Sequence, residues 1–455
     1  MGIAPETVVE PTCGRGAFVM AAASCFESLR EVLAFEVNAA HLAALRRRLA
    51  SEPTALPVHL RQADFFDLDW QESLGNQRGP LLVLGNFPWV TNAALGAIGG
   101  ENLPEKSNFL GFNGFDAISG KANFDISEWM LLQTLRWFSN RPGHIAMLVK
   151  TAVARKVLAH AERQREPVRE AFIFGIDAKK SFNAAVDACL LVIRLDASVP
   201  ANYDYTMFDD LHGAGGRRVG HRVGMTVGNL DAFETASHLL GQSPQKWRSG
   251  IKHDASAVME FTRTAAGCVN GLGETVNLEG DYLFPLLKGS DVGSSKAWRG
   301  KFVLVTQRFV GQPTDEIRLR APKTWAYLMK HAAQLDARGS VIYAKTPRFA
   351  IFGVGDYAFA PWRIAVCSLY KALRFRLVGP MGGRAVMFDD TVYYLSFNDE
   401  ASATQTLDKL HSEGAQALLS SLIFWDEKRP IKTAILNVLD WSKLDEHSPA
   451  QAALL

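Results

Sequence analysis

The chain has 455 residues, with 49 Lys and Arg against 47 Asp and Glu, for a formal net charge of +2. That length exceeds one ordinary domain and predicts two, and the ordinary share of apolar and charged residues argues against a disordered or fibrous protein. No stretch is long and apolar enough to span a membrane and no signal-peptide layout opens the chain, so a cytoplasmic protein is expected. The five cysteines, Cys13, Cys25, Cys189, Cys268 and Cys367, have no metal-site spacing and predict neither a metal centre nor a disulfide framework.

Thr7-Val8-Val9 reads as a strand. Glu10-Pro11-Thr12-Cys13-Gly14-Arg15-Gly16-Ala17-Phe18 follows as a glycine-rich turn into a helix. Gly14 and Gly16 let the backbone bend and come close to a ligand, although a lone G-x-G is equally a plain tight turn. Glu31 to Glu36 reads as a second strand ending in an acid about 20 residues past the turn, where a carboxylate can accept hydrogen bonds from two ribose hydroxyls. The competing account is a charge at a helix N-terminus, with Asn38 capping the helix that runs through Leu45. Val58 to Gln62 is a third strand leading into Ala63-Asp64-Phe65-Phe66.

The fourth strand, Leu81-Leu82-Val83-Leu84, has the continuous apolar character of a buried parallel strand. It closes on Asn86-Phe87-Pro88-Trp89. In open α/β sheets ligand chemistry sits at the carboxyl ends of strands, so an amide, a Pro and a Trp at this point read as an active centre. The alternative is an ordinary strand exit with a buried Trp. A Gly-, Asn- and Phe-rich loop from Thr91 to Lys121, carrying Leu110, Phe112 and Phe115, is long enough to imply a function of its own. Asn123-Phe124-Asp125 opens an amphipathic helix through Phe138, and Asn123 or Asp125 is its candidate cap. Ile145 to Val149, Phe172 to Phe174 and Cys189 to Ile193 complete the strands. The alternation predicts an α/β, doubly wound (Rossmann-like) parallel sheet over residues 1–200.

Residues 201–230 are rich in Gly, Asp and Arg and read as a linker. Residues 231–455 change to irregular strands with many aromatics, a mixed α+β domain. Charge is uneven here: Lys288 to Phe388 holds 17 Lys and Arg against 5 Asp and Glu, whereas Asp389 to the end holds 5 against 11. A basic block inside a nearly neutral chain points to a polyanion-binding face, with a solvated surface as the bland alternative. Arg348, Arg363, Lys371, Arg374, Arg376 and Arg384 are its candidates for neutralising phosphates and reading guanine edges. The closing segment, through Lys428-Arg429-Pro430 toward Trp441, reads as structural support. There is no P-D…(D/E)-x-K nuclease set, and no cleavage is expected.

Several of these strings together resemble a known family. Asn86-Phe87-Pro88-Trp89 resembles the [N/D/S]-P-P-[Y/W/F] motif of amino-methyltransferases that act on exocyclic nitrogens, chiefly the N6 of adenine in DNA. Glu10 to Phe18 resembles the (D/E)-P-x-x-G-x-G-x-F motif of S-adenosylmethionine-dependent DNA methyltransferases. The motifs occur in that family's order. Tyr282 to Asp291 and Phe352 to Arg363 resemble, less specifically, the target-recognition domains of type II restriction-modification adenine methyltransferases.

The resemblance implies S-adenosylmethionine as cofactor, held by Glu10, Pro11, Thr12, Gly14, Gly16 and Phe18 around its methionine part. It implies Glu36 on the ribose, Asp64 and Phe65 on the adenine, the Asn123-Phe124-Asp125 position lining the adenine side of the cofactor pocket, and Asn86 as a further cofactor-binding residue. It also implies catalysis by Asn86, Pro88 and Trp89. An adenine amine is a poor nucleophile because its lone pair is delocalised into the ring. The Asn86 side-chain oxygen and the backbone carbonyl of Phe87 or Pro88 would take its two hydrogens and localise that pair, and such preorganised dipoles lower a barrier by a few kcal/mol each. Trp89 offers a stacking face for an extruded base. Phe182, in Phe182-Asn183-Ala184-Ala185-Val186-Asp187, matches the family's hairpin aromatic on the other face, or else is a core Phe. The loop from Thr91 would border the base pocket or touch DNA.

The implied partners are double-stranded DNA and a cognate restriction endonuclease, with the protein a monomer. Phe87 stands where the family has its first Pro. In members with this motif order a further cofactor segment precedes the glycine turn; here the chain starts a few residues before it, so that segment is expected to be truncated, mis-started or replaced by something later in the chain. The alternatives are a catalytically inactive DNA-binding relative, an N4-cytosine enzyme, and a protein or RNA amino-methyltransferase, since glutamine-methylating enzymes share the N-P-P-Y motif.

Overall fold

Apolar runs of four to eight residues, separated by helical stretches, form the first sheet. In the computed structural model, which describes residues 2–75, 77, 79–89, 125–183, 186–265, 267–294 and 297–444, these runs are β1 (Thr7–Glu10), β2 (Glu31–Glu36), β3 (Val58–Gln62), β4 (Leu81–Asn86) and β5 (Gly143–Lys150). Helices α1 (Ala17–Cys25), α2 (Ala39–Ser51), α3 (Trp70–Leu74), α4 (Ile126–Arg136) and α5 (Thr151–Gln164) alternate with them. All five strands pair in parallel in the order β3-β2-β1-β4-β5. The apolar faces of β1, β2, β4 and β5 are buried, as at Val8, Val9, Val32, Leu82 and Val83, whereas β3 forms the edge of the sheet and is half-buried to exposed.

The sheet continues through β7 (Ala188–Leu195) to β6 (Val168–Ile176), and β7 runs antiparallel to both β5 and β6. The sheet is therefore not wholly parallel, as the sequence had suggested. Between β6 and β7 lie only residues 177–187, which carry the short helix α6 (Ala178–Phe182). A parallel return needs a crossover of about a dozen residues or more, so the chain turns back on itself.

The expected linker is also corrected. Residues 201–230 carry β8 (Tyr205–Phe208), β9 (Arg217–Arg222) and β10 (Met225–Val227), which extend the sheet beyond β6 to ten strands. The Gly- and Asp-rich string marks the turn between β8 and β9. There the Asp210 carboxylate accepts from the N–H groups of His212 and Ala214. Alternating Tyr205 and Met207 point into the core, and Phe208 stacks on Phe174 with ring centroids 4.9 Å apart.

After β3 the chain crosses to the other side of β1, where β4 begins the second half of the sheet. That reversal opens a crevice beyond the carboxyl ends of β1 and β4. Gly16 starts α1 there with φ +78°, a conformation that side chains resist, and a Cβ on it would collide with Leu45 of α2. Gly16→Ala is therefore expected to lower stability by about 1–3 kcal/mol, read as a shift in urea midpoint without a change in slope.

The chain divides into two compact units at Leu230 and Asp231. The second is built on a six-stranded and a four-stranded sheet. Phe261, Phe302, Val303, Leu304, Leu328 and Ile351 form its main core. Helices Glu400–His411 and Glu413–Leu422 and the buried Ile431, Leu436, Leu439 and Trp441 pack as support. No helix among the described residues is long and apolar enough to cross a membrane.

Candidate active site

Glu10, the last residue of β1, is 2% exposed, and its Oε2 has no hydrogen-bond partner among the described residues. Burial pushes this carboxyl up to about 9; the Val19 backbone N–H opposes the rise and the negative charge of Glu36 adds to it. The unfolded chain gives up this proton near 4.5 and the folded chain near 9. Between those values the folded state binds more protons, so this group costs stability increasingly as pH rises. Glu10→Gln is expected to gain stability relative to the unsubstituted protein as pH rises from about 4 to about 8, measured as the difference in urea midpoints at the two pH values.

The turn after Glu10 is tied to its neighbours on both sides. Cys13 N–H donates to the Phe35 carbonyl at 2.8 Å, and the Thr12 hydroxyl donates to the Asn86 carbonyl at 3.5 Å. Burial, then the charges of Glu10 and Glu36, push the Cys13 thiol up to about 12, which keeps it protonated and unreactive. Pro11 is buried and Phe18 half-buried.

Glu36, at the end of β2, takes the Gly14 N–H on Oε2 at 2.7 Å and the Asn38 N–H on Oε1 at 2.8 Å. The carboxylate is held in a fixed orientation with lone pairs left for further donors. Asn38 caps α2 by accepting from Ala40 N–H and His41 N–H. The two sequence accounts of this corner are thus compatible: the cap is Asn38, and Glu36 lies against the glycine turn.

At the end of β3, Asp64 accepts from the Phe66 N–H at 2.9 Å. Phe65, expected as a ring facing a ligand, is 6% exposed. It packs among Trp70, Phe87, Trp129 and Trp137 with centroids 5.0–6.2 Å away. The half-buried ring at this corner is Phe66, and both rings line a cavity of about 300 Å³ together with Trp129 and Trp137.

Phe87 is fully buried and its ring meets Phe65 edge-on at 5.5 Å. The departure from the family's first Pro therefore fills the core beneath the turn. Asn86 and Pro88 are exposed. Among the described residues nothing hydrogen-bonds the Asn86 side chain. Trp89 is half-buried; its indole N–H donates to the Leu148 carbonyl at 3.3 Å. Lys150, the last residue of β5, donates to the Trp89 carbonyl at 3.2 Å and to the Asp125 carboxylate at 2.6 Å. Asp125 caps α4 through Ser127. Neither the Lys150 link nor the Trp cluster is evident in the sequence, where a lysine after an apolar strand reads as a surface exit.

The expectations for the loop Thr91 to Lys121 and for Asn123 fall outside the described residues, and so does the side chain of Phe182.

In the second unit Arg363 is a correction. It is 1% exposed, donates to the carbonyls of Ala358 and Ala360, and burial lowers its guanidinium to about 10. A side chain so enclosed reaches no phosphate. Arg348 forks onto Asp336, Arg376 donates to the Asp291 carbonyl, and Arg384 donates to the Gly280 carbonyl. Lys371 and Arg374 are exposed.

A β3-β2-β1-β4-β5-β7-β6 core with acids ending its first two strands, a glycine turn between them and an Asn-x-Pro-Trp string at the switch point defines a Rossmann-like methyltransferase. The chain is 45% identical over 445 residues to the type II methyltransferase M.NspV of Nostoc sp., covering 97% of this chain and 92% of that protein. It belongs to the type II methyltransferase family. No family model matches the chain. Among solved structures, the type IIL restriction-modification enzyme MmeI, determined in complex with DNA, aligns at a TM-score of 0.55 and 12% identity over 95% of this chain. This chain spans 62% of MmeI, and the likeness is one of fold.

Proposed function

We propose that this chain transfers a methyl group from S-adenosylmethionine to the N6 amine of an adenine extruded from double-stranded DNA, as the modification part of a restriction-modification system. The carrying observation is that Asn86 presents at the switch point an exposed side-chain amide that no described residue hydrogen-bonds, with its backbone carbonyl one hydrogen bond from the glycine turn. Family membership with M.NspV and the sequence motifs support the same reading.

The residues present fit the cofactor. Glu10 holds a buried oxygen without a described partner, Glu36 is fixed at the strand end, and nothing stands within 4 Å of a Cβ placed on Gly14. Bound there, the cofactor supplies an electrophilic methyl on a positively charged sulfur. The chain's part is to position and polarise. The Asn86 Oδ1 and the carbonyl of Phe87 or Pro88 accept the two amine hydrogens, and Trp89 stacks on the base. With its two hydrogens so held, the amine lone pair is localised for attack; the N–C bond formed would be balanced by the S–C bond broken in the donor, and one amine proton would leave to water. Asp64 and the rings about Phe66 border the cofactor's adenine. Residues 231–455 act as the DNA target-recognition domain, with Lys371 and Arg374 on its basic face. The protein works in the cytoplasm as a monomer, alongside a cognate endonuclease.

The test is transfer of labelled methyl from S-adenosylmethionine to unmethylated DNA, with the product nucleosides separated. Label in N6-methyladenine is expected. Label in N4-methylcytosine would replace the base, label in protein or RNA would replace the substrate, and DNA binding without label would mark an inactive relative.

A further inference from the structure

In the second unit, the side-chain amides of Gln307 and Gln312 are committed to shaping one short exposed loop, Arg308-Phe309-Val310-Gly311. Gln307 lies beneath it, 2% exposed. Its side-chain nitrogen donates to the Gln312 carbonyl and its side-chain oxygen accepts from the Ile351 N–H at 3.0 Å. The Gln312 side chain accepts from the Arg308 N–H at 2.6 Å, and the Gln312 N–H donates to the Phe309 carbonyl at 3.2 Å. Gly311 closes the turn at φ +89°. The loop is thus held in shape before any partner arrives, which limits the entropy lost on binding.

What this loop holds outward is apolar. Phe309 is 58% and Val310 48% exposed, side by side. Arg308 adjoins them in the chain: its guanidinium lies 4.1 Å over the Phe359 ring, and it lines a cavity of about 670 Å³ together with Arg320 and Arg384 and the acids Asp281 and Glu316. Part of that charge is answered locally, since Arg320 lies 3.5 Å from Glu316 and Arg384 3.3 Å from Asp281. The surrounding block of sequence still carries 17 Lys and Arg against 5 Asp and Glu. A core of a protein–protein contact is depleted of charge, whereas exposed apolar tips set among arginines suit a partner with a charged backbone and stacked flat rings.

We propose that this loop enters the DNA duplex as an apolar wedge, Phe309 and Val310 parting a base step while Arg308 and Arg320 meet the phosphates beside it. The proposal rests on the DNA reading above and adds the element that deforms the duplex. An inserted side chain unstacks a step and changes the local twist.

The test uses the full chain bound to a relaxed closed plasmid that topoisomerase I then re-relaxes, so that twist absorbed by the protein is read as a change in linking number. The unsubstituted protein is expected to shift the linking number in proportion to the amount bound. Phe309→Ser should halve that shift or more at equal occupancy with an unchanged melting temperature, and Phe309→Leu should retain it. Equal shifts for Phe309→Ser and the unsubstituted protein would overturn the wedge and leave DNA methylation standing. So would binding without any shift. Equal shifts accompanied by loss of self-association in sedimentation would make the loop a contact between copies. No plasmid binding at low salt would overturn both the wedge and the DNA reading.

Discussion

Asn86→Ala is expected to reduce kcat for methyl transfer about a hundredfold to a thousandfold, with much smaller changes in the binding of cofactor and of DNA. The magnitude is that of one preorganised acceptor or donor removed from a charge-developing site, about 3–4 kcal/mol. The Asn86 side chain is exposed and makes no hydrogen bond to a described residue, so its loss strips nothing from the fold. Its backbone carbonyl, which takes the Thr12 hydroxyl at 3.5 Å, survives the substitution and keeps the two loops in register. A melting temperature within a degree or two of the unsubstituted protein should therefore accompany the loss of turnover. A variant that keeps its rate would remove Asn86 from the chemistry. One that loses rate and stability together would make the residue structural.

The sequence carries the first sheet and the turns at its strand ends in a readable form because both have local causes. Apolar runs of strand length and punctuating glycines and prolines say where the chain goes in and out. What escaped reading depends on neighbours distant in sequence. Residues 201–230 look like a linker because the Gly and Asp of one turn dominate their composition, while the strand that joins β8 to the rest of the sheet lies at Phe172 to Phe174. Arg363 carries the same charge as Arg374, yet one is enclosed by Ala358, Ala360 and Tyr394 and the other is exposed. Phe65 and Phe66 are interchangeable as letters, and only the packing of Trp70, Phe87 and Trp137 decides which ring is covered. Charge and hydropathy mark candidates, and burial selects among them.

Lys150 shows the same limit at the candidate site, and Lys150→Met is expected to have the second large effect. Its ammonium joins the end of the Asn86–Trp89 turn to the capped start of α4, 3.2 Å from the Trp89 carbonyl and 2.6 Å from Asp125. The Asp125 side chain is 9% exposed and that of Lys150 28%, so this is a largely buried pair. Removing the cation strands a carboxylate whose remaining described partner is Ser127. Breaking a buried pair in this way costs about 3–5 kcal/mol, and the lower end applies because Lys150 keeps some access to water. The Trp89 carbonyl loses its donor as well, and a reacting group displaced by about 1 Å can lose a hundredfold in rate. The double variant Lys150→Met/Asp125→Asn separates the two consequences. With the stranded charge gone, most of the stability should return in urea unfolding, while kcat stays low because nothing replaces the bond to the Trp89 carbonyl. Recovery of kcat together with stability would reduce Lys150 to a support of the fold; recovery of stability alone would make it a positioning residue for the turn that presents Asn86.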